Sequence, residues 1–586
     1  MPRTQPHLAQ PDVNPSFTKG VFLGAIHEEL MFPYPTLGAE EAESQRMILD
    51  SFHSWAAGAV NRQKHDHDGK FADGVREGMA ELGLMSLNIP EEYGGFGASA
   101  KVFSKVFGEV AATDAALGVY FGAHQSIGCK GITLFGTEDQ KKRWLARCAS
   151  GECIAAFCLT EPGSGSDAQA MKATAVLSGD GSHYALNGQK IWISNAGFAG
   201  LFTVFAKVRV TEGGKTKNRV TAFLVDAKSP GVRLGKLEEK MGIKASDTRA
   251  VFFDDVKVPA SERLGDVGQG FKIALEVLNS GRLGLASGAV HGTRAIMHEA
   301  LVYAKQRQQF GRPIGSFEMI QRKVALTAAD CYAADAAWFL AADMVDRSGI
   351  DFSLETACCK VFGSEMVFRA ANDALQIAGG IGYSKEFPYE QAVRDARINL
   401  IFEGTNEILR ALVALTGLQE AGEQLKKLGH AFKDPLHSIG VISSYLAGRV
   451  KRQVTKPKLT RVHDALKEEG DLVETVVHDF GLAVEGLVLK HGKGIIEKQF
   501  HQERMANTAI DVFHAVATLS RASAALERAG GDESKVASDL DCARIFVPAA
   551  MRRARRSVRA LGRQQDERLK AIAERALESG TLVAEV

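Results

Sequence analysis

The sequence predicts an α+β multidomain protein: a helical N-terminal domain, a small antiparallel β domain, a C-terminal four-helix bundle and an additional helical C-terminal extension. Three observations carry this. Between residues 40 and 150 apolar residues recur at helical spacing, as in Met79, Leu82, Leu84 and Met85, and glycine clusters such as EEYGGFGAS (91–99) interrupt them. Between about 168 and 262 the period shortens to that of strands. HYALNG, LFTVFAKVRV, RVTAFLVDA and AVFFDDVKV are β-rich runs, and GDGS (179–182) and EGGK (212–215) are turn signals between them. From about 270 long helical patterns return, Gly281–Gln306, Met319–Arg347, Leu354–Ile377 and Leu400–Leu415, joined by links short enough for a bundle.

A chain of 586 residues exceeds what one core can hold. The expected units are an N-terminal arm (1–39), an α-helical domain (40–156), a middle β domain (157–270), the bundle (271–420) and the extension (421–586). MFPYP (31–35) reads as a rigid extended piece of the arm, since each residue before a proline avoids the helical region. In the extension, Gly530–Gly531 reads as a break, and the amphipathic stretch Val473–Leu489 is expected to pack on the body.

Composition excludes several classes. Lys and Arg total 71 against 70 Asp and Glu, so no global field favours nucleic acid as a partner. None of the 8 cysteines forms a C-x-x-C pair, which argues for reduced thiols rather than a zinc or thioredoxin-like site. The N-terminus, MPRTQPHLAQPDVNPSF, lacks the apolar segment of a secretory signal. The uncharged run Ile191–Ala206 is too short to span a bilayer, so no integral membrane segment is expected. H-E-x-x-H, a Walker loop and G-x-S-x-G are missing, so no metal site is expected, and phosphoryl transfer and serine hydrolysis lose ground.

Some motifs have plain explanations. KHDHDG (64–69) fits no common zinc spacing and reads as a solvated loop. GSGSDA (163–168) resembles a nucleotide-binding glycine loop, but sheet-like sequence follows it instead of the helix a Rossmann unit requires. GGIG (379–382) reads as a helix C-cap. RINLIFEGTNEILR (397–410) does not dissolve so easily. Glu403 directly follows Leu400, Ile401 and Phe402, and an acid in an apolar run is costly to bury. Either it faces solvent or it has a chemical role.

Four stretches stand together: FCLTEPGSGSD (157–167), NGQKIWISNAG (187–197), QRQQFGRP (306–313), and QIAGGIGY (376–383) with IFEGTNEILR (401–410). In this order, across an α–β–α pattern, they resemble the acyl-CoA dehydrogenase family of flavoproteins over residues 40–416. FTKGVF and MFPYP near the start, GAHQSIGCKGITLFGT (122–137) and the long helical extension are similar to the very-long-chain branch of that family.

The resemblance implies FAD as cofactor, bound between the β domain and the bundle. Phe157, Leu159, Thr160, Gly165 and Ser166 then match positions at the isoalloxazine edge, and Ser166 also the position that reaches the CoA ester. Trp192 and Ile193 match positions against the flavin, and Ser194 one that offers a hydroxyl near its N5. Arg307 matches a pyrophosphate contact, whose bonds would be charge-assisted, and Phe310 an adenine-side contact. Gln376 and Gly380, with Arg307 and Phe310, reach the flavin of a neighbouring subunit in the family, which implies a homodimer. Thr405 and Glu407 match positions near the diphosphate and ribose.

Glu403 matches the family's catalytic base. An apolar pocket raises a carboxyl pKa toward that of the activated carbon acid, as such a base requires. Gly404 removes a side chain from the substrate's path, and the Glu403 N–H can bond the thioester oxygen. Some relatives carry the base on a bundle helix; the matching position here is Gly281 in LNSGRLG (278–284), with no carboxylate. Asn279 and Arg282 are the remaining candidates for substrate contact. The small residues Gly122 and Ala123 suit a deep acyl tunnel.

The resemblance implies α,β-dehydrogenation of long-chain acyl-CoA to trans-2-enoyl-CoA in fatty acid β-oxidation, with an electron-transferring flavoprotein as acceptor. The alternatives are an acyl-CoA oxidase using O2 and an assembly or scaffold protein on the same fold. Residues 436–461 carry Arg449, Lys451, Arg452, Lys456, Lys458 and Arg461 with no acid between them. Such a basic segment suits peripheral contact with an anionic membrane, or is a solvated loop. The expected location is a bacterial cytoplasm, with membrane association through that segment, or the mitochondrion in a eukaryote.

Overall fold

The computed structural model describes residues 15–433, 455–562 and 565–582. In the N-terminal domain the helices that matter for the site are Ala100–Thr113 and Ala115–Gly122. Ser99 caps the first by accepting the Val102 N–H, and Asp114 caps the second by accepting from Ala116 and Leu117. A π-helical turn, Ala123–Gly128, follows without a break. Such turns widen the backbone and frequently mark functional sites.

The middle domain is an eight-stranded sheet: β1 Ile154–Cys158, β2 Thr174–Leu177, β3 His183–Ser194, β4 Ala199–Glu212, β5 Lys215–Asp226, β6 Val232–Leu237, β7 Thr248–Pro259 and β8 Arg263–Leu264. The order is β6-β7-β3-β2-β4-β5-β8, with β1 paired to β4. The expected EGGK turn is the β4–β5 hairpin, where Gly213 (φ 56°) and Gly214 (φ 75°) join Glu212 to Lys215. The sheet is not wholly antiparallel: β1 and β2 run parallel to β4. Strand β1 (IAAFC) is buried at every residue and lacks the alternation of a half-exposed antiparallel strand.

The bundle helices are Gly270–Gln306, Glu318–Asp346, Ser353–Ala378 and Asn406–Lys433. The extension adds Lys467–His491, Gln499–Arg528, Ala537–Gly562 and Asp566–Ser579, with Gly530 and Gly531 in the break between the second and third. Bundle and extension share one hydrophobic core. Phe362 stacks on His514 at 4.2 Å, and Val473, Val476, Val477, Phe480 and Val484 turn inward from the extension. The Glu318–Asp346 helix is apolar enough by composition to cross a membrane, yet its Ala333, Ala337, Trp338 and Leu340 pack in this core.

Three further sequence readings differ from the structure. The arm holds a helix, Phe17–Phe22, capped by Ser16 and buried between bundle and extension. Phe22 meets Phe480 at 5.1 Å, Phe17 meets Phe513 at 6.0 Å, and buried Glu355 accepts Ser16 Oγ and the Thr18 N–H. KHDHDG is no loop: Asn61 caps an Arg62–Asp68 helix, and His65 is buried with its Nδ1 2.7 Å from Asp114. The stretch read as a helix from Leu400 begins only at Asn406.

Phe22→Ala is expected to destabilise the bundle and extension by about 3–5 kcal/mol, the usual cost of emptying a buried phenylalanine site. A lowered calorimetric transition checks this; an unchanged one would show that the arm helix is dispensable.

Candidate active site

The segment around Glu403 is a turn between helices. Ile398–Leu400 forms a single 3₁₀ turn, and regular helix resumes at Asn406. Between them Glu403 adopts φ 59° and Gly404 φ 92°. Glycine visits this region freely, whereas a glutamate there costs of order 1–3 kcal/mol and persists only when its surroundings hold it.

Buried side chains on two bundle helices hold it. Arg282 Nε donates to the Glu403 carbonyl at 3.3 Å, and Arg282 Nη1 to Asn279 Oδ1 at 2.9 Å. Lys360 Nζ donates to the Gly404 carbonyl and to Asn406 Oδ1, both at 2.8 Å. Asn406 Nδ2 in turn donates to Ser364 Oγ at 3.0 Å and Glu365 Oε1 at 3.1 Å.

The carboxyl is left without such partners. Glu403 Oε2 is buried and has no hydrogen bond. It sits against Gly281, where an added Cβ would lie 2.5 Å from it. Burial pushes the Glu403 pKa up to about 7, against the pull of the nearby Arg282 and Lys360 cations. Glu403 is half-buried overall because it borders a cavity of ≈ 180 Å³. Small and apolar residues line most of that cavity: Phe107, Ala111, Gly118, Gly122 and Ala123 from the N-terminal domain, and Gly281, Leu285, Gly288, Ala289 and Gly292 from the bundle. Ser194 of β3 lines it too.

The second half of the site is built on β1 and β3. Phe157 is buried in β1 against Phe205. The loop after β1 is pinned to β3: Lys190 Nζ donates to the Leu159 carbonyl at 3.1 Å and to Glu161 at 2.7 Å, and the Ile191 N–H donates to Thr160 O at 2.9 Å. Gly165 and Ser166 are exposed, and a Cβ at Gly163 or Gly165 would meet nothing within 4 Å, so this backbone faces open space. A register shift in β3 between Lys190 and Ile193 turns Trp192 outward at φ 56°, with 64% of its surface exposed, while Ile193 points into the core. An exposed flat ring, a neighbouring hydroxyl on the cavity and an open glycine loop fit an isoalloxazine.

Glu403 and Ser194 thus line one cavity, and the 157–166 loop is pinned to the strand that carries Ser194. Asn279 and Arg282 are buried beside the Glu403 turn and bonded to each other. Arg307, Phe310, Gln376, Gly380 and Glu407 are exposed and lie outside the cavity lining; Thr405 is half-buried and caps the following helix by accepting the Ile408 N–H. Gly379 (φ 67°) is the expected C-cap of the preceding helix. Lys360, Ser364 and Asn406 were missed by sequence reasoning. One signal could have found Lys360: a lone cation in the apolar run ACCKVF, the counterpart of Glu403 in its own run. Among the described residues no group of histidines, cysteines and acids could hold a metal, and all eight cysteines are free thiols.

A helical–β–helical body with a desolvated carboxyl on a small-residue cavity and an exposed aromatic platform fits a flavin-dependent dehydrogenase. Comparison with known proteins narrows this. Family models described as the N-terminal, middle and C-terminal domains of acyl-CoA dehydrogenase match residues 42–152, 156–256 and 268–418, and an "ACAD9/ACADV, C-terminal domain" model matches 464–582. The mitochondrial very long-chain specific acyl-CoA dehydrogenases of Bos taurus and Homo sapiens are both 40% identical to this chain, covering 88% and 87% of it and 80% and 79% of their own lengths. An acyl-CoA dehydrogenase complexed with FAD from Bacillus anthracis superimposes with a TM-score of 0.79 at 29% identity, over 97% of this chain and 95% of that one. This chain belongs to the acyl-CoA dehydrogenase family; it is an oxidoreductase, and FAD is its cofactor.

Gly281→Ala is expected to push the Glu403 carboxyl aside. A displacement of about 1 Å at a reacting group can cost about a hundredfold in rate. Stopped-flow bleaching by an acyl-CoA should therefore slow strongly while FAD stays bound; an unchanged rate would show that Glu403 does not work from this position.

Proposed function

We propose that the protein oxidises long-chain acyl-CoA thioesters to trans-2-enoyl-CoA in fatty acid β-oxidation, with the Glu403 carboxylate as the α-proton acceptor. The observation that carries this is the desolvated Glu403 carboxyl, its Oε2 orphaned, on a residue that borders the cavity Ser194 also lines. FAD, when bound, supplies the acceptor for the β-hydrogen, taken as hydride. The protein's own part is to bind, orient and exclude water. The 157–166 loop, Trp192 and Ser194 hold the flavin face, the cavity seats the acyl chain without water, and Glu403 takes the α-proton in a medium that favours its neutral form. Arg307, Phe310, Gln376 and Gly380, exposed away from this cavity, serve the flavin of a second copy, and Thr405 and Glu407 the diphosphate side, which makes the working unit a homodimer.

Long chains are favoured because the Ala115–Gly122 helix gives the cavity Gly118 as well as Gly122, with Ala123 following. Electrons leave to an electron-transferring flavoprotein. Of the segment 436–461 read as a membrane contact, residues 436–454 lie outside the described residues. Of the rest, Lys458 pairs with Glu474 at 2.8 Å and Arg461 donates to Phe32 O. The location is a bacterial cytoplasm, or the mitochondrion if the source is eukaryotic.

Anaerobic mixing of the yellow holoprotein with palmitoyl-CoA should bleach the flavin rapidly, and Glu403→Gln should keep FAD but lose nearly all of this bleaching. Retained rapid bleaching would remove Glu403 as base. Glu403 acts as a carboxylate, so with a pKa of about 7 the wild-type rate should rise with pH. The ionised fraction climbs from about a tenth at pH 6 to about nine tenths at pH 8, roughly a tenfold gain. A flat profile would contradict the assignment.

A chain-length series tests the tunnel. Activity should peak on long acyl groups; a maximum on butyryl-CoA with collapse at palmitoyl-CoA would sink the long-chain reading. Stoichiometric hydrogen peroxide in air during turnover would instead favour the oxidase.

A further inference from the structure

Lys360 lies on the Ser353–Ala378 helix with no exposed surface. An ammonium so placed is costly to bury without partners. Its bonds go to the carbonyl of Gly404 and the side chain of Asn406, the residues that end the Glu403 turn and start the next helix. A lysine used only for packing would not need to reach both. Its third feature needs no hydrogen bond: its charge holds the Glu403 pKa lower than burial alone would.

We propose that Lys360 is the positioning residue of the base: it locks the left-handed Glu403–Gly404 turn through the Gly404 carbonyl and Asn406, and its charge sets the pH range in which Glu403 accepts a proton. The inference rests on Glu403 being the base. The charged groups facing this pair come from each packed element: Arg282 from the Gly270–Gln306 helix, Glu365 from Lys360's own helix, and Glu407 and Arg410 from the Asn406–Lys433 helix. Arg410 pairs with Glu365 at 2.8 Å, so that acid is already engaged, and Arg282 donates to the Glu403 backbone. Burial likewise drives the Lys360 pKa down to about 7. Lysine and glutamate therefore respond to each other over the same range, and removing one changes the titration of the other.

The test uses holoenzyme and two variants. Lys360→Met keeps the stem and removes the charge; Asn406→Ala keeps the charge and removes one anchor. Both are followed by stopped-flow flavin reduction with palmitoyl-CoA across pH 6–9, with FAD absorbance and thermal midpoint as controls on folding. In Lys360→Met the rate at pH 7 should fall about tenfold or more, and the inflection of the pH profile should move up by about one unit, as loss of a nearby opposite charge requires. Asn406→Ala should lose rate with its inflection unmoved. A Lys360→Met profile with the wild-type rate and inflection overturns the proposal, as does a rate loss with an unmoved inflection, which would be packing alone. If Lys360→Met does not fold, an Asn406→Ala rate equal to wild type overturns the positioning role. Glu403→Gln separates the two ideas. If it still bleaches rapidly, the base assignment fails; if it is dead while Lys360→Met is unchanged, only the role of Lys360 fails.

Discussion

The contact on which the site depends is the one between the Glu403 carboxylate and Gly281. An oxygen without a hydrogen-bond partner, pressed where no Cβ can fit, is an unfavourable place for a charge. The fold tolerates it because the cost is concentrated on one atom while the backbone around it is tied down. The Glu403 and Gly404 carbonyls are both engaged by buried cations. A turn stabilised by the carboxyl itself would be easier to fold and useless as a base, since each hydrogen bond to the ionised form lowers its proton affinity.

This constraint explains the distribution of small residues. The glycines and alanines that line the cavity lie on helices from two different domains, and they let those helices close over an apolar space without filling it. Phe107 crosses that interface, close to where Cβ atoms at Gly284 and Gly288 would stand. The extension and the arm helix are packed into a shared core with the same bundle. They stabilise the helices that carry Arg282 and Lys360 and do not enter the cavity lining.

Periodicity made the architecture legible, because helix and strand differ in spacing and the turns are marked by glycine. It could not place the arm helix, six residues whose apolar positions make sense only once the extension surrounds them. Nor could it separate 401–405 from the helix that follows, since the left-handed geometry at Glu403 is imposed by Arg282 and Lys360, which are distant in sequence. The parallel pairing of β1 was hidden for the same reason: a uniformly apolar strand carries no alternation to read. At the site, Glu403 stood out as a charge in an apolar run. Lys360, Ser364 and Asn406 form a network that only tertiary structure assembles, although Lys360 carried the same local signal.

The two halves of the site are held by the same device in different forms. Lys190 and Lys360 are both wholly buried, and each donates to a backbone carbonyl of a loop that must keep one shape, Leu159 in one case and Gly404 in the other. Lys190 also meets a carboxylate, Glu161, so its charge is neutralised locally and the loop after β1 gains a fixed clamp. Lys360 has dipoles as its hydrogen-bond partners, and the carboxylate that acts on it most strongly is Glu403, which keeps no hydrogen bond to it. A buried ion pair completed by direct contact would quench the proposed base, whereas a buried lysine bonded to Gly404 and Asn406 instead leaves the acid desolvated yet still able to ionise near neutral pH. The choice of partner, a carboxylate at one lysine and a carbonyl and an amide at the other, is what makes one loop a scaffold and the other a reactive turn.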